Sequence, residues 1–187
     1  MAVLEDAKRL CEIYNPYITD TTITFEYEPL SQEAFRLRME AVLEKFPWLV
    51  CEKDGVILGY AYASPFHERA GYAWDCDFSI YLRPEFFGQG IGRGLWQAME
   101  ALLSLQGYQN VYALITDTNC SSIYFHEKCG FTKEGEHKNS GYKLGEWLGV
   151  CLMVKKIGRF ENPPAPVKRL CEIPYMDLLE RRELLWT

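Results

Sequence analysis

Between Leu4 and Tyr14 the apolar residues fall at Leu4, Ala7, Leu10, Cys11 and Tyr14, the spacing of one helix face. Asn15-Pro16-Tyr17 predicts the end of that helix, because proline biases the residue before it away from the helical region. The run TTITFEYEP, Thr21 to Pro29, alternates and is rich in β-branched and aromatic residues, which predicts a strand. Ser31, Gln32 and Glu33 read as the N-cap and first turn of a helix reaching about Phe46, ahead of Pro47. Two apolar runs between Trp48 and Pro65 flank Asp54-Gly55, a two-residue hairpin turn. A further strand is expected over about Tyr72 to Leu82.

The next stretch, GQGIGRG, places four glycines in seven residues and leads into a helix with Ile91, Leu95, Met99, Leu102 and Leu103 on one face. Gly107 is a natural C-cap for it. VYALITD reads as a short buried strand, SSIYFHEKCGF as a helix closed by Gly130, and the residues to about Lys156 as two more strands. The order α, β, α, three β, α, β, α, two β predicts one α/β domain with a mixed sheet over residues 1–157. Residues 158–187 then form a proline-rich tail, extended on the surface, with one or two amphipathic turns from Tyr175 to Thr187.

Composition narrows the function classes. With 187 residues, 48% of them hydrophobic, the chain can bury a core. The net charge is −6 and there is no basic run, which argues against nucleic acid as a partner. No apolar run approaches the roughly 18 residues of a membrane span, and MAVLEDAKRL does not read as a signal peptide. Seven cysteines, an odd number with no CxxC pair, read as free thiols in a reducing cytoplasm. His67, His126 and His137 pair with no cysteine at finger spacing, so no metal is expected.

The glycines carry the chemistry. A dinucleotide fingerprint would need a third glycine where Arg93 or Leu95 stands, and no Lys-Ser or Lys-Thr follows as in a Walker loop. A plain turn remains possible. So does a pyrophosphate cradle, in which the amides around Gly88, Gln89, Gly90, Ile91, Gly92, Arg93 and Gly94 approach phosphate at a helix start and Arg93 adds a full charge.

Strand, glycine-rich turn and long helix together resemble the acetyl-coenzyme A cradle of the GNAT N-acetyltransferases. Their turn follows Arg/Gln-x-x-Gly-x-Gly/Ala; here the window is Phe87-Gly88-Gln89-Gly90-Ile91-Gly92, and Phe87 departs from it. A second family motif is matched by NCSSIYFHEKCGF at Asn119, Gly130 and Phe131, with Ser122 in place of Ala and His126 in place of Tyr. IYNPYI, TTITFEYEP, GYAYASPF, SIYLRPE, HEKCGF and GYKLGEWL resemble the phosphinothricin acetyltransferase branch, from Leu4 to Lys156. The fold so implied is a mixed, mostly antiparallel sheet of about six or seven strands flanked by about four helices. Relatives usually carry a short strand before the first helix; here Met1 stands almost at the helix, so that strand is very short or the chain begins late. A bare sheet edge would then be covered by the tail or a partner.

The resemblance implies acetyl transfer from acetyl-CoA to the primary amine of a small amino acid or analogue, such as phosphinothricin or methionine sulfoximine. Asp77 stands where the branch has its Glu base, one methylene shorter. Asp75 falls on the same strand face, and two adjacent carboxylates can raise one pKa. Backbone groups of Ile80, Tyr81 and Leu82 would pair with the pantetheine arm, with Asn119 and Ser122 also at the cofactor. His126, or Tyr124 two residues before it, would protonate the leaving thiolate. Phe25, His67, Arg69 and Tyr72 match acceptor-pocket positions, with His67 replacing a Lys. Gly149 stands where the branch commonly has Asp. Each residue also has a plainer reading: Asp77 a satisfied strand carboxylate, His126 a helix histidine, Arg69 a solvated loop charge. Open at the level of function are another amine acceptor (a polyamine or a protein N-terminus) and an acetyl-CoA-binding sensor without turnover. A homodimer is common in the branch.

Overall fold

In the computed structural model, which describes residues 1–180, six strands form one sheet in the order β1-β2-β3-β4-β6-β5. They are β1 (Trp48–Lys53), β2 (Val56–Pro65), β3 (Asp75–Leu82), β4 (Asn110–Thr116), β5 (Thr132–Lys143) and β6 (Glu146–Lys156). All neighbours are antiparallel except β3 and β4. Asp54 (φ 52) and Gly55 (φ 78) make the tight β1–β2 turn, both in the left-handed region that this turn requires.

Helices α1 (Ala7–Thr19) and α2 (Gln32–Leu43) cover one sheet face. Their apolar sides meet Trp48, Ile57 and Tyr60 in a core cluster built around Leu10, Phe35 and Met39. The other face carries α3 (Ile91–Gln106) and α4 (Cys120–Lys128). There Leu95, Trp96, Met99, Leu102 and Phe131 pack on Ala61, Phe78, Val111 and Met153. Ser31 caps α2 through its side chain, which accepts from the Ala34 amide. Gly107 (φ 99) closes α3 with its N–H on the Leu103 and Ser104 carbonyls.

Three expectations change. Pro16 does not end the first helix: α1 continues to Thr19, preceded by a 3-10 turn at Leu4–Asp6. Tyr14, Tyr17 and Ile18 are buried, and tertiary packing holds the turn that proline weakens. Thr21–Pro29 forms no strand. Its groups are taken by side chains instead: Tyr14 Oη lies 3.0 Å from Thr24 Oγ1, Lys143 Nζ donates to the Thr24 carbonyl at 2.6 Å, and the Tyr27 hydroxyl donates to the Tyr142 carbonyl. Its alternation is real, but side chains bind it to the β5 edge at Tyr142 and Lys143 and no backbone ladder forms there.

The tail is tied down as well. Gln106, fully buried, donates its side-chain amide to the carbonyls of Lys45 and Lys168, both at 3.0 Å. Trp74 Nε1 reaches the Ala165 carbonyl at 2.7 Å, and Ile173 is buried in the core. A 3-10 turn (Leu170–Glu172) and a short α5 (Tyr175–Glu180) follow; the expected turns beyond 180 lie outside the described residues. At the other end, residues 1–3 form no strand, and the Ala2 amide donates to the Trp48 carbonyl at 2.8 Å.

Candidate active site

β3 and β4 pair only over Asp75–Asp77 and Asn110–Tyr112. Beyond that point β3 stays on β2 to Leu82, and β4 stays on β6 to Thr116. The two strands therefore part, and among the described residues the stretch Phe78–Leu82 has no strand on its β4 side. An open backbone edge of this kind accepts an extended ligand by β-like hydrogen bonds. Ile80, Tyr81 and Leu82 lie along it, and the Leu82 carbonyl is already taken by the Tyr17 hydroxyl.

Past the end of β3 the glycines do two different jobs. Gly88 (φ 75) and Gly90 (φ 83) are needed for conformation, since a Cβ on either would meet nothing within 4 Å. Gly92 is needed for space: a Cβ there would lie 3.1 Å from Phe125 Cε2 and 3.5 Å from Ile80 Cδ1. Gly90 is the N-cap of α3 and offers no side-chain cap. The Gly94 amide bonds back to the Gly90 carbonyl at 3.1 Å, which leaves the amides of Ile91, Gly92 and Arg93 to an anion. Gln89 turns its side chain back onto the Glu85 carbonyl at 3.2 Å, so only its backbone faces the cradle. Asn119 caps α4, with Oδ1 accepting from the Ser122 amide (3.2 Å) and the Ser121 hydroxyl (3.0 Å). Its Nδ2 remains for a ligand.

His126 does not face this opening. It is 2% exposed and lies among the rings of Phe78, Phe125 and Phe131. Nδ1 is 2.8 Å from the Ser122 carbonyl, which can only accept, so Nδ1 carries the proton. The Ser122 hydroxyl lies 3.3 Å from the same nitrogen, and Nε2 is buried without a partner. Burial pushes the pKa down to about 4, so the ring is neutral and its one N–H proton is committed to the Ser122 carbonyl, away from any thiolate. This corrects the expected acid role. Tyr124, the other candidate, is 60% exposed, with Lys128 Nζ 5.0 Å from its ring centre.

Asp77 stands on the last rung shared by β3 and β4, paired in register with Ser64 of β2 and Tyr112 of β4. Its neighbours Cys76 and Phe78 enter the core under α3, so Asp77, Ser79 and Tyr81 face the α1–α2 side. Oδ1 is buried without a hydrogen-bond partner. Burial raises the carboxyl pKa to about 7. Asp75 is not the cause; it accepts from Asn110 Nδ2 at 2.8 Å.

The residues expected at the acceptor divide into two groups. The Phe25 ring covers Gly141, where a Cβ would lie 2.3 Å from Phe25 Cε2. His67, Arg69 and Tyr72 line a cleft of about 540 Å³ together with Lys45 and Lys168, and Asp77 is not among its walls. A row of rings runs from the cleft to Tyr112, the strand partner of Asp77: Tyr72 to His67 (4.7 Å), His67 to Phe66 (4.3 Å), and Phe66 stacked on Tyr112 (3.9 Å). Phe66 and Tyr112 are not signalled by sequence pattern, since each sits in an ordinary strand or loop run. Lys143, 2% exposed, is another such residue; burial lowers its pKa, and its bond to Thr24 anchors the Phe25 segment. The missing side chain at Gly149 leaves room for Asp117, whose Oδ2 lies 2.6 Å from where a Cβ would be. Among the described residues, no group of three or more His, Cys, Asp or Glu could hold a metal ion. No helix among them is long and apolar enough to cross a membrane.

Comparison with known proteins agrees with this geometry. Residues 1–151 match the acetyltransferase (GNAT) domain family. A phosphinothricin N-acetyltransferase of Streptomyces viridochromogenes is 31% identical over 92% of this chain and 93% of its own. An L-methionine sulfoximine/L-methionine sulfone acetyltransferase of Salmonella typhimurium is 28% identical over 86% of this chain and 94% of its own. The crystal structure of a phosphinothricin acetyltransferase from Sinorhizobium meliloti in complex with acetyl-CoA superimposes with a TM-score of 0.83, at 32% identity, covering 89% of this chain and 90% of that one. The open β3 edge, the glycine-built start of α3 and these relatives together place the chain in the GNAT acetyltransferase family, in the branch of the phosphinothricin acetyltransferases.

Proposed function

We propose that the protein transfers the acetyl group of acetyl-CoA to the primary amine of a small amino acid or analogue of the phosphinothricin or methionine sulfoximine type. The observation that carries this is Asp77: a half-buried carboxylate whose buried Oδ1 has no partner, with its pKa raised to about 7, at the rung where β3 and β4 separate. When bound, acetyl-CoA supplies an activated thioester. The amides of Ile91, Gly92 and Arg93 hold its pyrophosphate, with the Arg93 charge beside them, and the free edge of β3 aligns its arm. Asp77 takes one proton from the acceptor's ammonium and frees the lone pair for attack. An N–H on the open β3 edge stabilises the charge that develops on the thioester oxygen. Tyr124 is the proposed donor to the departing thiolate, being the exposed one of the two candidates. Phe25 and the Phe66–Tyr112 stack form the acceptor walls, and His67, Arg69 and Tyr72 sit at the far end of the ring row. We further propose a cytoplasmic homodimer, supported by the exposed hairpin residues Tyr142, Leu144 and Trp147.

The test follows free thiol release from acetyl-CoA with phosphinothricin, L-methionine sulfoximine, L-methionine sulfone, a polyamine and a peptide N-terminus. Turnover of the amino-acid analogues supports the reading. Thermal stabilisation by CoA without release from any of them identifies a sensor instead. Sedimentation at micromolar concentration reads the dimer.

A further inference from the structure

On the face of the sheet that carries Asp77, α2 brings in a second charged group. Arg38 Nη2 donates to Glu26 Oε1 at 2.5 Å, and the guanidinium carbon lies 5.7 Å from the centre of the Tyr14 ring. The pair is about two-thirds buried, with side-chain exposures of 31% and 34%. Tyr14 packs edge-on against Tyr81 at 4.8 Å, and Tyr81 shares the Asp77 face of β3. Tyr62, in register with Ser79, lies within electrostatic reach of both Arg38 and Asp77.

The pair is also incomplete. A self-sufficient Arg–carboxylate pair joins two N–H groups to two oxygens. Here one bond is made, and Arg38 forms no other hydrogen bond among the described residues. Glu26 Oε2 is buried without a partner. A half-buried guanidinium with a free edge, fixed in direction by a carboxylate and a ring, suits a second carboxylate supplied from outside. An α-amino acid presents one carboxylate beside the ammonium that Asp77 must deprotonate. Arg69 sits in a cleft whose walls do not include Asp77.

We propose that Arg38 is a specificity-determining residue that takes the acceptor's carboxylate, and that Glu26 is a positioning residue that aims it. The assignment rests on the acetyl-transfer reading above. It makes a free amino acid the preferred acceptor over its amide or the corresponding simple amine.

The experiment compares kcat/KM for L-methionine sulfone and its carboxamide, at saturating acetyl-CoA, in wild type, Arg38→Gln, Arg38→Lys, Glu26→Gln and Arg69→Gln. In Arg38→Gln the value for the free acid falls about 10- to 100-fold, mainly through KM, while that for the amide changes little. Glu26→Gln moves the same ratio in the same direction by less. Equal losses for acid and amide in Arg38→Gln overturn the assignment. So does a preference that survives in Arg38→Gln and disappears in Arg69→Gln. If Arg38→Gln shows no CoA-dependent thermal shift, Arg38→Lys decides: it keeps the charge but not the planar fork, and an undiminished acid preference overturns the assignment. Wild type that acetylates both compounds equally refutes the carboxylate clamp alone. Wild type that releases thiol with neither refutes the acetyl-transfer reading and the clamp with it.

Discussion

Asp77 and Tyr112 are partners on the last rung that joins β3 to β4. The carboxylate stands on the α1–α2 face of the sheet, at the rung where the two strands part. Asp77→Asn keeps the shape and removes the proposed base. Turnover is expected to fall about 10²- to 10⁴-fold, with CoA-induced thermal stabilisation unchanged. A variant with wild-type turnover would remove Asp77 as the base.

Burial raises the Asp77 pKa from 3.8 to about 7. The base works only when ionised, so kcat/KM is expected to rise with pH through about 7 and then level off. The stability consequence has the opposite sense. Between these two values the folded state binds more protons than the unfolded one, so stability falls as pH rises and is flat above the folded value. Asp77→Asn should therefore melt higher than wild type at alkaline pH, and the gap should close on acidification. Melting curves at several pH values measure this, and a gap that widens towards acid would contradict it.

Gly90→Ala puts a side chain on a residue with φ 83. The left-handed strain costs about 1–2 kcal/mol. Relief by reshaping the turn moves the α3 amides, so the Kd for CoA should rise by about tenfold. Titration calorimetry reads it directly.

Gly141→Ala places a methyl 2.3 Å from Phe25 Cε2, so the ring must move. The KM for the acceptor is expected to rise, and CoA affinity to stay unchanged. Parallel changes in both would mean that Phe25 does not belong to the acceptor wall.

Gln106→Ala removes two hydrogen bonds that join the β1 approach to the tail, at the carbonyls of Lys45 and Lys168. A loss of about 1–3 kcal/mol is expected from urea unfolding. Release of the tail would show as new proteolytic cleavage between residues 158 and 170.

Local chemistry that the backbone alone enforces was legible in the sequence. Asp54-Gly55, the Ser31 cap, Gly107 and the glycines ahead of α3 each act through φ or a nearby amide, and each stands where its pattern predicts. Interactions between distant segments were not legible. Pro16 sits inside α1 because Tyr17 and Ile18 are buried beyond it. Thr21–Pro29 has strand composition but borrows its order from Tyr14 and Lys143. His126 matched a motif position, yet Phe78, Phe125 and Phe131 decide its environment, and they come from three places in the chain.

The Thr21–Pro29 segment has a further consequence. The proposed cofactor end relies on main-chain amides held by Gly88, Gly90 and Gly92, positions that admit few replacements. The proposed acceptor end relies on side chains, and one of its walls, Phe25, rests on a loop that makes no sheet ladder of its own. The two halves of the site thus differ in how freely they can drift. On the proposed assignment, exchanges at Phe25, Arg38, Gly141 or Lys143 are expected to change the preferred amine while the donor half stays as it is, so new acceptors would be reached by editing one wall.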